Sequence, residues 1–374
     1  MNPQFKLGSV AGVPIGGSWS WLAVFGLIVW TLTASVFPDQ NPGLGTPTYI
    51  GMGIAAALIF YASLLLHELG HALQARREGV PIIGITLWLF GGVARFGGDF
   101  PSAGAELRIA LAGPAVSLAL GAAFVGLAAT TDPPAAVGGV VAWLGYINLT
   151  LLVFNMLPAF PMDGGRVLRS LLWLARGDMP WATRIASTVG RGFGAGFVAL
   201  GLAAFAVSAA FAGLWLAFLG WFLFAAATAE ARHTATQSAL GGITVGDLMM
   251  RWPVTLDGDM LLADAIDLLA GVGRHTAYPV LVDGRLLGVV ELARLMRVPR
   301  AEWGRRRVRE CLLELSEVPV LREDEGAGEA LDELARSRLG RGLVLDRGRL
   351  VGLLSMTDIA RALRPPIRPM GGSA

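Results

Sequence analysis

The residues best equipped for chemistry stand at His67-Glu68-Leu69-Gly70-His71. In an α-helix, residues four apart differ by about 40° in azimuth and one turn in rise, so His67 and His71 project from one face. Two imidazoles so placed can share one cation. Glu68 is adjacent to the first ligand and reaches a metal-bound water rather than the metal, which suits a general base. The pattern alone arises often by chance, and its surroundings strengthen it. Ile50 to Leu66 is almost wholly apolar, and two His and a Glu near membrane depth are costly unless paired or functional. Gly70 leaves room for another backbone or a substrate to approach. A catalytic zinc site takes a third protein ligand and keeps one position open for water. The best candidate is Asp163, in Asn155-Met156-Leu157-Pro158-Ala159-Phe160-Pro161-Met162-Asp163-Gly164-Gly165-Arg166. Two prolines and a Gly pair break regular helix there and can aim a carboxylate inward. By itself that stretch reads more readily as an ordinary Pro/Gly turn closed by an exposed Asp.

The elements that must position these side chains are membrane helices. With 54% hydrophobic and 16% charged residues among 374, and a mean hydropathy of +0.59, the chain is too apolar for a soluble globular protein. A net charge of +2 and a pI near 9.0 reflect a slight Arg excess and make no case for nucleic acid. Cys311 is the sole cysteine, which excludes an internal disulfide and a Cys-based metal cluster within one chain. Apolar stretches of spanning length lie near 19–37, 49–75, 106–130, 136–157, 186–209 and 213–229, which predicts six transmembrane helices. The last two turn tightly, around 211–213. Residues 19–37 are long enough to span, whereas a signal sequence has an apolar core of roughly 7–15 residues, so this segment reads as an uncleaved first helix.

Basic residues fall on alternate connections. One set carries Lys6, Arg76, Arg77, Arg95, Arg108, Arg166, Arg169, Arg176, Arg184, Arg191 and Arg232, whereas 38–48, 131–135 and 210–213 hold no Lys or Arg. This distribution predicts that both termini are cytoplasmic, in agreement with an even helix count. His71 lies five residues before Arg76, and Asp163 three before Arg166, so both motifs sit at the cytoplasmic ends of their helices. That matching depth shifts the balance toward Asp163 as the third ligand.

From about residue 243 the composition changes to charged segments with short strand and helix patterns. We read 1–230 as a transmembrane domain, 231–242 as a linker, 243–300 and 301–364 as two similar halves of an α/β domain, and 365–374 as a disordered Pro/Gly-rich tail. Each half has a hydrophobic strand, a turn at Asp283-Gly284 or Arg347-Gly348, another strand and a helix. Repeats of about 60 residues in this order resemble a pair of cystathionine-β-synthase (CBS) domains.

Together, HELGH, the loop Leu89-Phe90-Gly91-Gly92-Val93-Ala94, Leu111-Ala112-Gly113-Pro114 and the NxxPxxPxDGG stretch resemble the intramembrane site-2 protease family of zinc metalloproteases. The resemblance implies a polytopic α-helical membrane protein with a short β-hairpin loop, one Zn²⁺ held by His67, His71 and Asp163, and Glu68 as base. It also implies a prokaryotic cell-membrane location and a transmembrane substrate, such as a membrane-tethered regulator or a signal-peptide remnant. The Gly91-Gly92 loop would lie near that substrate and pair with it as an added strand. Asn155 would steady the site or substrate by hydrogen bonding, or simply cap a helix end. The family usually carries Asn where this chain has Ser117, so no role is carried onto Ser117. CBS pairs resemble modules that bind adenine nucleotides through Ser/Thr-x-x-Asp, which points to Ser355 and Asp358. The first half has Glu291-Leu292-Ala293-Arg294 there and departs from the pattern. A purely structural pair that joins two copies of the chain is the alternative. His233 and His275 read as linker or surface residues. The rival functional reading is a CBS-gated metal transporter or channel, which would not need Glu68.

Overall fold

The computed structural model describes residues 4–88, 91–98, 100–208, 211–272 and 276–363. The chain divides into two compact units, Met1–Arg232 and His233–Ala374.

In the first unit, six helices among the described residues are long and apolar enough to cross a membrane. The first, Trp19–Gln40, joins α1 (Trp19–Thr31) through a π-helical turn at Leu32–Val36 to α2 (Phe37–Gln40). Then come α3 (Thr46–Arg77), α4 (Ala103–Thr130) and α5 (Ala135–Asn155). After a short non-spanning α6 (Asp163–Arg176), α7 (Met179–Ser208) and α8 (Phe211–Ala239) complete the set. Local chemistry sets several of the ends. Pro47 occupies the first turn of α3, and Arg76 and Arg77 face the dipole at its last turn. Ser102 caps α4 by accepting from the Ala105 N–H at 3.2 Å. Leu118, Val153, Leu200 and Trp221 are exposed, as expected of helices that turn apolar side chains to lipid as well as to one another.

The tight turn expected at 211–213 is displaced. Gly213 lies inside α8, and the connection falls at 209–210, outside the described residues. The reason is packing. A Cβ on Gly213 would lie 2.6 Å from the Gly201 carbonyl oxygen, and Gly194 and Gly220 make the same kind of backbone approach. Glycines seven residues apart on each helix let α7 and α8 touch along one seam.

Against α3 lies a four-stranded sheet of β1 (Phe5–Val10), β2 (Val13–Gly17), β3 (Ile82–Trp88) and β4 (Gly91–Phe96), in that order. Strands β2 and β3 are parallel, with Ile15 opposite Ile85, and the other two pairings are antiparallel. The expected hairpin is therefore half of a larger sheet. Its N-terminal half has a glycine-rich sequence with weak alternation and depends on a strand some 70 residues away. Val13, Leu69, Ala72 and Ile85 form the buried contact between sheet and α3. Where α3 ends, Glu78 takes two 2.7 Å bonds from Arg108 of α4, which hold its carboxyl below the usual carboxylate range.

The second unit has two four-stranded sheets. One is β6 (Leu256–Asp257), β7 (Ala277–Val282), β8 (Arg285–Glu291) and β9 (Leu313–Glu314). The other runs β10 (Val320–Leu321), β11 (Arg341–Asp346), β12 (Arg349–Ser355) and β5 (Met250–Arg251). Helices α9 (Val245–Leu248), α10 (Leu262–Val272), α11 (Leu292–Leu295), α12 (Ala327–Arg336) and α13 (Met356–Ala362) complete it. Both residues of each hairpin turn have positive φ, 51° and 76° at Asp283-Gly284 and 46° and 78° at Arg347-Gly348. Such turns match the twist of the flanking strands. The two sequence halves interlock. Strand β5 pairs with β12 and β9 with β8, and Leu240, Val245 and Met249 are buried among side chains of the second half. The expected linker at 231–242 is helical through Ala239. Ala231, Ala235 and Ala239 favour helix, and Gln237 Nε2 donates to the Gly328 carbonyl at 3.3 Å.

Candidate metal centre

One turn apart on α3, His67 and His71 place their Nε2 atoms 3.2 Å from each other. Asp163 Oδ2 lies 3.2 Å from both. All three side chains are buried, and no other described group of three or more His, Cys, Asp or Glu is arranged to hold a metal. The His71 Nδ1 lies 2.7 Å from the Ile109 carbonyl. A carbonyl can only accept, so the ring proton sits on Nδ1 and Nε2 presents its lone pair. His67 Nδ1 lies 2.8 Å from Ser117 Oγ, which can accept in the same way. Two imidazole lone pairs and a carboxylate oxygen then face one another with no proton between them, a repulsive arrangement that a cation relieves. The 3.2 Å edges match the roughly 3.3 Å edge of a tetrahedron with ligands at 2.0–2.1 Å, and two His plus one carboxylate is a catalytic zinc set. Space is kept for the ion. A Cβ on Gly113 would collide with His71 Nε2 and lie 2.7 Å from His67 Nε2.

Of the two neighbours expected at Gly70, another backbone or a substrate, the structure shows a backbone. A Cβ there would lie 2.9 Å from the Ala112 carbonyl oxygen, so Gly70 admits α4 and brings Gly113 over the imidazoles. Pro114 lies within α4 and cannot donate a backbone hydrogen bond. In the preceding turn Ile109 offers its carbonyl to His71.

Glu68 is buried beside the pair, and its Oε2 accepts the Ala94 N–H at 3.1 Å. Its Oε1 has no protein hydrogen bond among the described residues. A Cβ on Gly92 would lie 2.5 Å from Glu68 Cγ, so β4 rests directly on this side chain. His67, Glu68, His71, Asp163, Gly92 and Asn155 all line one cavity of about 140 Å³, with Arg166 and Pro161. Gly91 is not in its lining and faces Leu64. Leu89 and Phe90 lie outside the described residues.

Asp163 does not end the fourth membrane helix, as its sequence position suggested. It opens α6, eight residues after α5 stops at Asn155. The prolines end one helix, and the glycines allow the next to start against the turn. A Cβ on Gly164 would collide with the Leu157 carbonyl oxygen, and one on Gly165 would lie 2.7 Å from Phe160 N. Further along α6, Arg169 donates through Nε to Glu106 Oε1 at 2.9 Å and through Nη1 to Glu230 Oε1 at 2.6 Å. Glu106 is completely buried. This ion pair clamps α6 between α4 and α8 and so fixes the direction of Asp163. Arg169 and Glu106 went unrecognised because nothing in their spacing links positions 63 residues apart.

Ser117 was the other omission, since the resemblance assigned it no role. Its bond to His67 Nδ1 orients the ring that would bind metal. Partners of this kind contribute about 10–100-fold to metal affinity. Ser117→Ala is therefore expected to weaken zinc binding by that factor, read by competition with a chromogenic chelator. An unchanged affinity would remove Ser117 from the site.

In the second unit, Ser355 and Asp358 cap α13 reciprocally. Ser355 N–H donates to Asp358 Oδ2 at 3.1 Å, and Asp358 N–H donates to Ser355 Oγ at 3.3 Å. Both line a cavity of about 640 Å³ with Thr357, Arg341 and Arg361. His233 lies 3.4 Å from Asp332, and His275 falls outside the described residues. Cys311 is buried in an apolar cluster of the first sheet's half.

Comparison with known proteins identifies the family. The profile of Peptidase family M50 matches residues 55–133 and 133–200, and that of the CBS domain matches 245–301 and 309–365. Rip3 of Mycobacterium tuberculosis, named as a zinc metalloprotease, is 39% identical over 97% of this chain and 93% of its own. A zinc metalloprotease of Methanocaldococcus jannaschii is 31% identical over 82% of this chain and 84% of its own. Among solved structures, the site-2 protease from Methanocaldococcus jannaschii is 29% identical, covers 61% of this chain and 95% of that one, and has a TM-score of 0.43. The chain belongs to peptidase family M50, the site-2 protease type of membrane zinc metalloprotease, with a CBS domain pair at its C-terminal side.

Proposed function

We propose that this protein hydrolyses a peptide bond within or near a transmembrane segment of a membrane-tethered substrate, as a step of regulated intramembrane proteolysis. The observation that carries this reading is the convergence of His67, His71 and Asp163 beside Glu68 in a single small cavity bordered by β4. Zinc held by these three residues supplies Lewis-acid polarisation of the scissile carbonyl and acidifies the attacking water. Glu68 Oε1, without a hydrogen-bond partner among the described residues, takes the water's proton and passes it to the leaving amide nitrogen. The Ala94 N–H on Oε2 keeps the carboxylate pointed into the cavity. Strand β4 ends its sheet, so its outer edge can receive an extended peptide. A substrate helix must therefore unwind locally before its carbonyl reaches the cavity. Asn155, in the cavity wall, is suited to hydrogen-bond the unwound backbone, with Gly92 giving it a close approach.

The basic connections favour an orientation with both termini cytoplasmic, which would set the metal centre toward the cytoplasmic side, and the family resemblance favours a prokaryotic inner membrane. For the CBS pair we propose regulation by an adenine nucleotide at Ser355 and Asp358, and association of two chains through this unit. Of the two readings of the intramembrane site, proteolysis is favoured over metal transport because Glu68 stands beside the triad with one oxygen unbonded among the described residues.

The test is metal removal. Protein in lipid nanodiscs with a model transmembrane substrate is expected to lose cleavage on chelation and regain it with one equivalent of zinc. Persistent cleavage by zinc-free protein would overturn the reading.

A further inference from the structure

The first CBS half departs from the nucleotide pattern at residues that line a second cavity. At the end of β8, Glu291 and Arg294 stand where Ser355 and Asp358 stand at the end of β12. They line a cavity of about 640 Å³ together with Arg297, Arg336, Arg338 and Glu317. Among the described residues, none of the four guanidiniums forms an ion pair with a carboxylate. Arg336 Nε donates to the Asp332 carbonyl at 3.0 Å, which leaves its two terminal nitrogens free. One Glu317 oxygen is already taken by the Glu314 N–H at 3.1 Å. Four guanidiniums against two carboxylates leave a formal excess of two positive charges around one space.

We propose that this cavity binds an anion bearing clustered phosphate groups, at a site separate from Ser355 and Asp358. Guanidinium forks pair two nitrogens with two phosphate oxygens, and four of them around one cavity suit several phosphates better than one. The replacement of the acidic residue by Arg294 removes the carboxylate that would grip a ribose. No aromatic ring is in the cavity lining to stack on a base. Both features select the phosphates and not a nucleoside. The same chemistry is offered by a soluble polyphosphate ester and by an anionic lipid headgroup.

The probe is inorganic tripolyphosphate, titrated calorimetrically into full-length protein in phosphatidylcholine nanodiscs. Wild type is expected to bind, more weakly as salt rises. The exposed pair Arg294→Gln and Arg338→Gln, combined, is expected to lower affinity at least tenfold with unchanged thermal unfolding, while Asp358→Asn leaves it unaltered. Repeating the titration with phosphatidylglycerol in the nanodisc separates the sources. Competition by the lipid that disappears in the double variant identifies a headgroup, and absence of competition identifies a soluble anion. Failure of wild type to bind at millimolar tripolyphosphate, or equal binding by the double variant, overturns the site.

Discussion

Glu68→Gln is expected to reduce cleavage of a transmembrane substrate by about 10²–10⁴-fold, the range associated with a lost general acid–base group, while zinc stays at one per chain. The substitution is nearly isosteric. A glutamine carbonyl oxygen can still accept the Ala94 N–H that Glu68 Oε2 accepts at 3.1 Å, so β4 should keep its place on the side chain. What disappears is basicity, because a neutral amide cannot take a proton from water. Cleavage by gel assay and metal content by mass spectrometry, on the same preparation, separate the two roles. Near-normal turnover would show that Glu68 does not move the proton. Loss of zinc along with turnover would show instead that it supports the metal directly. A Glu68→Ala change is less informative, since it also removes the group packed against Gly92.

Gly113→Ala is expected to abolish stable zinc binding, with at least a hundredfold loss of affinity. A methyl group at this position collides with His71 Nε2 and sits 2.7 Å from His67 Nε2, in the space the ion requires. Gly113 is in the interior of α4, where alanine favours helix over glycine by about 1 kcal/mol. Local backbone preference therefore opposes the predicted loss, and weakened helix formation cannot explain it. Equilibrium dialysis against zinc, with circular dichroism as the control for helix content, reads the outcome. Wild-type affinity in the variant would mean that the ion lies elsewhere, and the triad reading of His67, His71 and Asp163 would fall with it.

Much of the site could be read from short-range pattern. Residues four apart on a helix must share a face, so the pairing of His67 with His71 needed only helical periodicity. The six membrane helices followed in the same way from length and apolarity, although their ends moved by a few residues. Asp163 opens α6 and does not close the fourth membrane helix, because Pro158, Pro161 and two glycines mark a break without saying what starts after it. The N-terminal hairpin was invisible for a related reason. Six and five residues with weak alternation become strands only when β3 offers an edge.

The sequence by itself determined the placing of His67 and His71 on one helix face, the helix count and the presence of two hairpin repeats, since each depends on residues close along the chain. Tertiary structure alone decided what surrounds HELGH. It put Gly113 over the two rings, Ser117 and the Ile109 carbonyl behind them, β4 on Glu68, and the Arg169–Glu106 pair under Asp163. These partners lie 26 to 63 residues apart in each hydrogen-bonded pair. Such contacts have no period to betray them, because they exist only once helices and sheet have packed.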